Sequence, residues 1–152
     1  MPSTNSLLLS LQSEYPQLLF TPGDRFAWSP DVHTVFYDTA DPDNTDLLLH
    51  ELGHGLLEHR DYSKDIELVA METEAWDKAI ELAADRGITI EDETVQDNLD
   101  TYREWLHARS TCPSCEATGY QTGKSEYRCV ACSHEWRVNE ARICALRRYS
   151  AK

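Results

Sequence analysis

Apolar residues recur at intervals of three and four positions along three segments of this chain, and that spacing predicts three long helices. The segments are 47–59, 63–86 and 92–108, and a shorter helix over 6–15 precedes them. Between the short helix and the first long one, aromatic and β-branched residues on both sides of a Ser-Pro-Asp turn predict a β-hairpin over 18–37. A β-hairpin combined with helices places this part of the chain in the α+β class.

Beyond residue 108 the long helical pattern gives way to turn residues, all five cysteines and short β-like segments. The β-like segments are centred on three aromatic residues, Tyr120, Tyr127 and Trp136. A last helix is predicted over 139–149. Because 152 residues are near the size of one domain, a second unit has to be small. We therefore predict one domain over 1–108 and a small C-terminal domain over 109–152.

The net charge of −13 is distributed unevenly along the chain. Residues 1–106 hold 6 Lys and Arg against 23 Asp and Glu, whereas residues 107–152 hold 8 against 4. The acidic part would repel phosphate-rich partners, so any contact with nucleic acid would involve the basic C-terminal part. That part is also suited to a protein partner or to the acidic domain of its own chain. We expect a protein substrate as the main partner, and nucleic acid is not favoured.

The chain lacks the sequence features of export and of membrane insertion. No apolar run approaches the roughly 20 residues that a membrane-spanning helix needs. The first 20 residues contain no Lys or Arg, whereas a secretory signal begins with basic residues. We therefore expect a cytoplasmic protein that does not contact a membrane.

The sequence His50-Glu51-Leu52-Gly53-His54 has the form H-E-x-x-H on a predicted helix. Residues four apart lie on one face of a helix, so His50 and His54 can bind a single Zn²⁺ ion together. Zinc lowers the pKa of a bound water, and Glu51 is placed to take its proton as the general base. Gly53 costs the helix about 1 kcal/mol relative to alanine, which is explained if another backbone or a substrate has to approach closely.

A catalytic zinc needs a third protein ligand, and the next predicted helix offers Glu67, Glu72 and Glu74. At about 100° per residue, Glu72 falls on the apolar face of that helix and Glu74 on the solvent-facing side. A carboxylate on an apolar face needs a strong partner, because an unpaired buried charge is costly. We therefore favour Glu72 as the third ligand. Glu74 stays the alternative, because its spacing from His54 resembles that of thermolysin-like enzymes.

These motifs together resemble the ImmA/IrrE family of zinc metallopeptidases. In that family H-E-x-x-H is followed on the next helix by E-x-x-A and a second alanine four residues later, a pattern that Glu72, Ala75 and Ala79 match. The resemblance covers about residues 18–86, and Trp76 departs from it, since the family often has Asn or Asp there. It implies a small zincin-like domain, built from a β-hairpin and three to four helices, that hydrolyses a protein substrate. In some members that substrate is a DNA-binding repressor.

Four cysteines form two C-x-x-C pairs, Cys112 with Cys115 and Cys129 with Cys132, separated by 13 residues. This spacing is typical of a zinc ribbon, in which four thiolates complete a tetrahedron and leave no open position. The second zinc is therefore predicted to be structural. A redox-active disulfide within one pair is disfavoured, because two matched pairs are present. The fifth cysteine, Cys144, is interpreted as a partly buried thiol.

The predicted function is a zinc-dependent metallopeptidase with one catalytic and one structural zinc. The group that would stabilise the oxyanion stays open among three residues, His59, Tyr62 and Tyr102. A SprT-like protease is one alternative, because that family also joins H-E-x-x-H to a zinc ribbon and acts on DNA-bound protein, although it usually adds a third histidine ligand. The other alternative is a zinc-binding regulatory protein without peptidase activity, which metal content alone does not distinguish from an enzyme.

Overall fold

The computed structural model describes residues 4–139 and 148–150, which contain four helices and two small sheets. The helices are α1 (Thr4–Glu14), α2 (Thr45–Leu56), α3 (Asp65–Ala84) and α4 (Asp92–Ser110). The strands are β1 (Leu19–Gly23), β2 (Ala27–Ser29), β3 (Thr34–Asp38), β4 (Gly119–Gly123), β5 (Glu126–Cys129), β6 (Glu135–Val138) and β7 (Arg148–Ser150). The α+β class and the four helices predicted up to residue 108 are confirmed. Among the residues described, no helix combines the length and the apolar character that crossing a bilayer requires.

The first sheet has the strand order β1-β3-β2 and is larger than the predicted hairpin. Strands β2 and β3 pair antiparallel, with Trp28 opposite Val35, as the hairpin prediction requires. Strand β1 adds to the other side of β3 in parallel, with Phe20 opposite Val35. The side chains of β1 are exposed or half-buried throughout. Buried and exposed positions therefore do not alternate along β1, and the local sequence pattern does not predict this strand.

The described residues divide into two compact units. One comprises the described residues up to Asp61 together with 71–92, and the other comprises 62–70 and the described residues from Glu93 onward. This division differs from the predicted boundary at residue 108, because α4 and the first turns of α3 group with the cysteine-containing part. Arg109 near the end of α4 and Asp65 at the start of α3 form a buried ion pair, with Nε 2.7 Å from Oδ2. The local pattern of apolar and polar residues does not predict this pair, because its members are far apart in sequence.

The core of the first unit is built from apolar side chains of α1, α2, α3 and β3. Its fully buried members include Leu11, Val35, Leu48, Leu49, Leu52, Ala75, Trp76 and Ala79. Helices α2 and α3 approach each other closely at one point. A Cβ atom on Gly53 would lie 2.6 Å from the carbonyl oxygen of Ala75. The close approach predicted from this glycine is therefore with the backbone of α3.

The second unit contains a four-stranded antiparallel sheet in the order β4-β5-β6-β7. Residues of β5 and β6 alternate between exposed and buried, and the buried set includes Tyr127 and Trp136. Their rings stack with centroids 5.7 Å apart, and Trp136 Nε1 donates a hydrogen bond to the carbonyl oxygen of Arg109 at 2.9 Å. The β-like segments predicted around the three aromatic residues are confirmed as β4, β5 and β6.

The predicted last helix over 139–149 is wrong at its end. Arg148–Ser150 forms strand β7, which pairs antiparallel with β6. An edge strand such as β6 presents unpaired backbone groups, and pairing with them outweighs a local helical preference. Residues 140–147, which include Cys144, lie outside the described residues.

Candidate metal centres

Helix α2 carries three of the four residues of the predicted catalytic centre. It begins after Asn44, whose side-chain oxygen accepts a hydrogen bond from the backbone N–H of Leu47 at 3.1 Å. His50 and His54 lie on its buried face, where they are 3% and 8% exposed. Their Nε2 atoms are 3.2 Å apart, so the two rings point at the same place. The expectation that these histidines share one helix face is confirmed.

Glu72 of α3 joins the two histidines. Its Oε2 atom lies 3.0 Å from His50 Nε2 and 2.7 Å from His54 Nε2, and the residue is buried. Glu74 lies on the outer side of α3, with 59% of its side chain exposed. Glu67 accepts hydrogen bonds from the backbone N–H and the hydroxyl of Ser63, just before α3. Of the three glutamates considered, only Glu72 belongs to the group.

The chemistry of this group fits a divalent metal ion. Two imidazole nitrogens and a carboxylate oxygen are a common ligand set for zinc. Ligand atoms about 2.1 Å from one ion at tetrahedral angles stand roughly 3.4 Å apart. The three separations observed here, 3.0, 2.7 and 3.2 Å, are close to that value. A small outward shift of the side chains would place all three atoms around one ion.

The electrostatics of Glu72 agree with a role as ligand. Burial alone would raise the pKa of Glu72, but its hydrogen bonds with His50 and His54 outweigh burial and lower that pKa. The carboxylate is therefore ionised at neutral pH, as a metal ligand has to be. A buried carboxylate of this kind needs a positive partner in return.

The ring of His50 is held by packing. It stacks on Trp76 with ring centroids 4.2 Å apart and an interplanar angle of 23°, and Trp76 is fully buried. His50 Nδ1 is itself buried and has no hydrogen-bond partner within 4–139 and 148–150. Trp76, the departure from the ImmA/IrrE pattern, therefore forms one wall of the site and leaves the ligand group intact.

The carboxylate of Glu51 accepts a hydrogen bond from the backbone N–H of Trp28 in β2. Burial raises the pKa of Glu51, and the opposing effects of His50, His54 and the Trp28 N–H do not outweigh it. A raised pKa brings this carboxyl group closer to the range in which it can both accept and return a proton near neutral pH. Strand β2 thus contributes one backbone contact to the predicted general base.

A further histidine, His59, contacts the site in a way that the sequence did not indicate. Its Nδ1 atom lies 2.9 Å from His54 Nδ1, and its Nε2 atom lies 3.5 Å from Glu74 Oε2. Burial lowers the pKa of His59, which favours the neutral ring. Both ring nitrogens of His59 face partners, and its role as one of the three candidates for the oxyanion donor stays a prediction. The other two candidates, Tyr62 and Tyr102, belong to the second unit.

The four paired cysteines come together in the second unit. Cys112 Sγ lies 3.7 Å from Cys132 Sγ, and Cys115 Sγ lies 3.5 Å from Cys129 Sγ. All four thiols are free, and their sulfur atoms lie within 4.8 Å of one another. Thiolates about 2.3 Å from a tetrahedral zinc ion stand roughly 3.8 Å apart, so the observed spacing fits such an ion.

The two C-x-x-C pairs adopt the same backbone turn. The N–H of Glu116 donates to the carbonyl oxygen of Cys112 at 2.9 Å, and the N–H of Ser133 donates to that of Cys129 at 3.2 Å. Glu116 and Ser133 have φ values of 66° and 63°, in the left-handed region that costs a non-glycine residue about 1 kcal/mol. The repetition of one strained turn at both pairs indicates a common role in presenting sulfur atoms.

The turns aim backbone N–H groups at sulfur. The N–H groups of Ala131 and Cys132 lie 3.3 and 3.5 Å from Cys129 Sγ. These two N–H groups, that of Cys132 first and then that of Ala131, lower the pKa of Cys129 to about 6. The lowered pKa favours the thiolate, which is the form that binds a metal.

Within the described part of the chain, two groups of side chains can therefore hold a metal ion, one of mixed histidine and glutamate and one of cysteine alone. Comparisons of the chain with protein-family models, with curated proteins and with solved structures found no match.

Proposed function

We propose that this chain is a zinc-dependent metallopeptidase that hydrolyses peptide bonds of a protein substrate. One observation carries the proposal: the ligand atoms of His50, His54 and Glu72 converge to within 3.2 Å of one another. Glu51 lies beside them on the same helix, with its carboxylate bonded by strand β2. A divalent ion held by these ligands would polarise a substrate carbonyl and lower the pKa of a water molecule.

Glu51 is the general base of the proposed reaction. The Trp28 N–H in β2 is the one backbone group that bonds to its carboxylate among the causes of its pKa shift. A carboxylate oxygen takes a proton from the attacking water, and the same carboxyl group then returns the proton to the leaving amine. Burial raises the pKa of Glu51, which is the direction that a group returning a proton in the second step requires.

The ligand set supports the relationship to the ImmA/IrrE family and a zincin-like fold for the first unit. That relationship implies H-E-x-x-H on one helix and a glutamate on the next, with a small sheet before them. The four cysteines would hold the second zinc ion in a ribbon. Four thiolates leave no open coordination position, so we assign this ion a structural role.

The third ligand and peptidase activity distinguish the two alternative functions from the proposed one. A SprT-like protease usually supplies a histidine as third ligand, whereas the group described here contains Glu72. Cleavage that is stimulated by DNA would favour the SprT-like hypothesis. A regulatory protein that binds zinc without hydrolysis would have the same ligands and therefore has to be distinguished by an assay of cleavage.

The test uses the full chain loaded with zinc and a proteome-derived peptide library whose new termini are identified by mass spectrometry. We expect the wild type to cut the library and Glu51→Gln to lose cleavage by about 10² to 10⁴-fold, while both bind two zinc ions per chain. The matched control is Glu81→Gln, the same change at an exposed residue of α3 whose only described ion pair is with Lys78. It should cut like the wild type.

Two outcomes would contradict the proposal in different ways. Cleavage that persists in Glu51→Gln would show that Glu51 is not the general base. A zinc-loaded wild type that leaves both the library and the proteins encoded beside its gene uncut would favour the regulatory alternative.

A further inference from the structure

Beyond the ligands themselves, His59 and Glu74 extend the site outward from His54. The exposed Glu74 contacts His59, and His59 contacts His54. We infer that His59 is a positioning residue for the ligand His54, and that Glu74 is the outer partner of His59. This inference rests on the proposed metal centre, because it assigns a role toward the same ion.

The direction of the hydrogen bonds follows from the requirements of a metal ligand. His54 Nε2 faces Glu72 and His50, and it has to be unprotonated to bind a metal. The single proton of the neutral His54 ring is then on Nδ1. Because His54 Nδ1 lies 2.9 Å from His59 Nδ1, the first donates and the second accepts. The proton of the neutral His59 ring is then on Nε2, which faces Glu74 Oε2 at 3.5 Å.

The backbone is shaped to bring His59 back over His54. Helix α2 ends at Leu56, and Glu58 follows with a φ of 56°, in the left-handed region. The N–H of His59 then donates to the carbonyl oxygen of His54 at 3.0 Å. Trp28 Nε1 donates to the carbonyl oxygen of His59 at 2.9 Å. The left-handed Glu58 and two hydrogen bonds to the backbone of His59 therefore hold this residue in place independently of its side-chain contacts.

The two histidine ligands are supported in different ways. His50 stacks on Trp76, and its Nδ1 atom lacks a hydrogen-bond partner in the described ranges. His54 has a hydrogen-bonded partner on its Nδ1 side, and that partner is in turn close to a carboxylate. A bond accepted from Nδ1–H fixes the ring orientation and makes Nε2 more basic. Changes at His59 should therefore weaken metal binding through His54.

The experiment measures metal affinity of the full chain by competition with a chromophoric chelator, using Co²⁺ and Zn²⁺. Cobalt bound to four thiolates absorbs strongly in the near ultraviolet, whereas cobalt bound to histidine and carboxylate does not, so the two centres are read separately. We expect His59→Leu to weaken binding at the histidine centre about 10- to 100-fold. The cysteine centre is the internal control and should keep its affinity.

Two conservative variants distinguish the contact between His54 and His59 from the contact between His59 and Glu74. In His59→Asn the side-chain oxygen can replace Nδ1 as acceptor, so we expect affinity within about threefold of the wild type. Glu74→Gln removes the outer charge and keeps the inner bond, so its loss should be smaller than that of His59→Leu. If His59→Leu binds metal like the wild type, or if His59→Asn is as weak as His59→Leu, the inferred hydrogen bond is overturned.

A measurement on the wild type alone covers the case in which His59→Leu does not fold. In the zinc-loaded protein labelled with ¹⁵N, the proton on His54 Nδ1 should show a scalar coupling to His59 Nδ1 across the hydrogen bond. A loaded histidine centre in which His54 Nδ1 carries no proton would overturn the inference. A wild type that binds zinc only at its cysteines would overturn both the inference and the proposed function, and the cobalt spectra identify that case.

Discussion

Replacing Gly53 by alanine tests whether the close contact of α2 and α3 holds the histidine centre together. The added Cβ would lie 2.6 Å from the carbonyl oxygen of Ala75, whereas ordinary contact begins at 3.4 Å. The obstructing atom belongs to a helix backbone, so no side-chain rotation relieves the clash. Helix α3 therefore has to move away by roughly 0.8 Å, the difference between these two distances.

Two opposing contributions determine the loss of stability. Overpacking of a core costs about 1–3 kcal/mol. Alanine regains about 1 kcal/mol of helix propensity relative to glycine. We expect the free energy of unfolding to fall by about 1 kcal/mol.

Metal binding should suffer more than stability. Glu72 lies three residues before Ala75 on the same helix, so a shift of α3 separates its carboxylate from His50 and His54. To bind an ion, the three ligands would have to return to their original positions. Helix α3 would then move back against the added Cβ atom, and the clash would recur. A strain of about 1.4 kcal/mol in the bound form weakens zinc binding about tenfold.

Urea unfolding measures the stability, and chelator competition measures zinc affinity at the histidine centre. The control is Gly23→Ala, whose Cβ would meet no atom closer than 3.7 Å and whose φ is not left-handed. It should leave both quantities unchanged. If Gly53→Ala is as stable as the wild type and binds zinc equally well, then the close contact does not set the geometry of the ligands.

Two further predictions concern the second unit. Cys112→Ser should lower the zinc content from two ions to one and unfold the β4–β7 sheet, because a structural zinc contributes directly to folding. Zinc analysis and circular dichroism measure these two effects. A variant that binds one zinc ion and keeps a stable sheet would contradict the prediction. Asp65→Ala leaves Arg109 buried without its partner and should destabilise the fold by about 3–5 kcal/mol. Tyr127→Phe removes only the hydroxyl that donates to Asp65 and should cost about 1 kcal/mol, so equal losses in urea unfolding would refute the importance of the ion pair.

Much of both centres was predictable from the sequence, because their ligands are related by local geometry. Two histidines four residues apart share a helix face whatever surrounds the helix. The wheel of α3 placed Glu72 inside and Glu74 outside before any tertiary contact was known, since an apolar face has to be buried. The C-x-x-C spacing likewise predicts its own metal-binding turns, because each turn closes within a few residues.

The tertiary structure alone decided the features that depend on distant segments. The parallel pairing of β1 with β3, the replacement of a predicted helix end by β7 and the grouping of α4 with the cysteine unit all involve partners far apart in sequence. His59 is the same case at the site, because only the chain reversal at Glu58 and the bond from Trp28 bring its ring onto His54. Periodicity describes which face of an element is buried, and it carries no information about which other element covers that face.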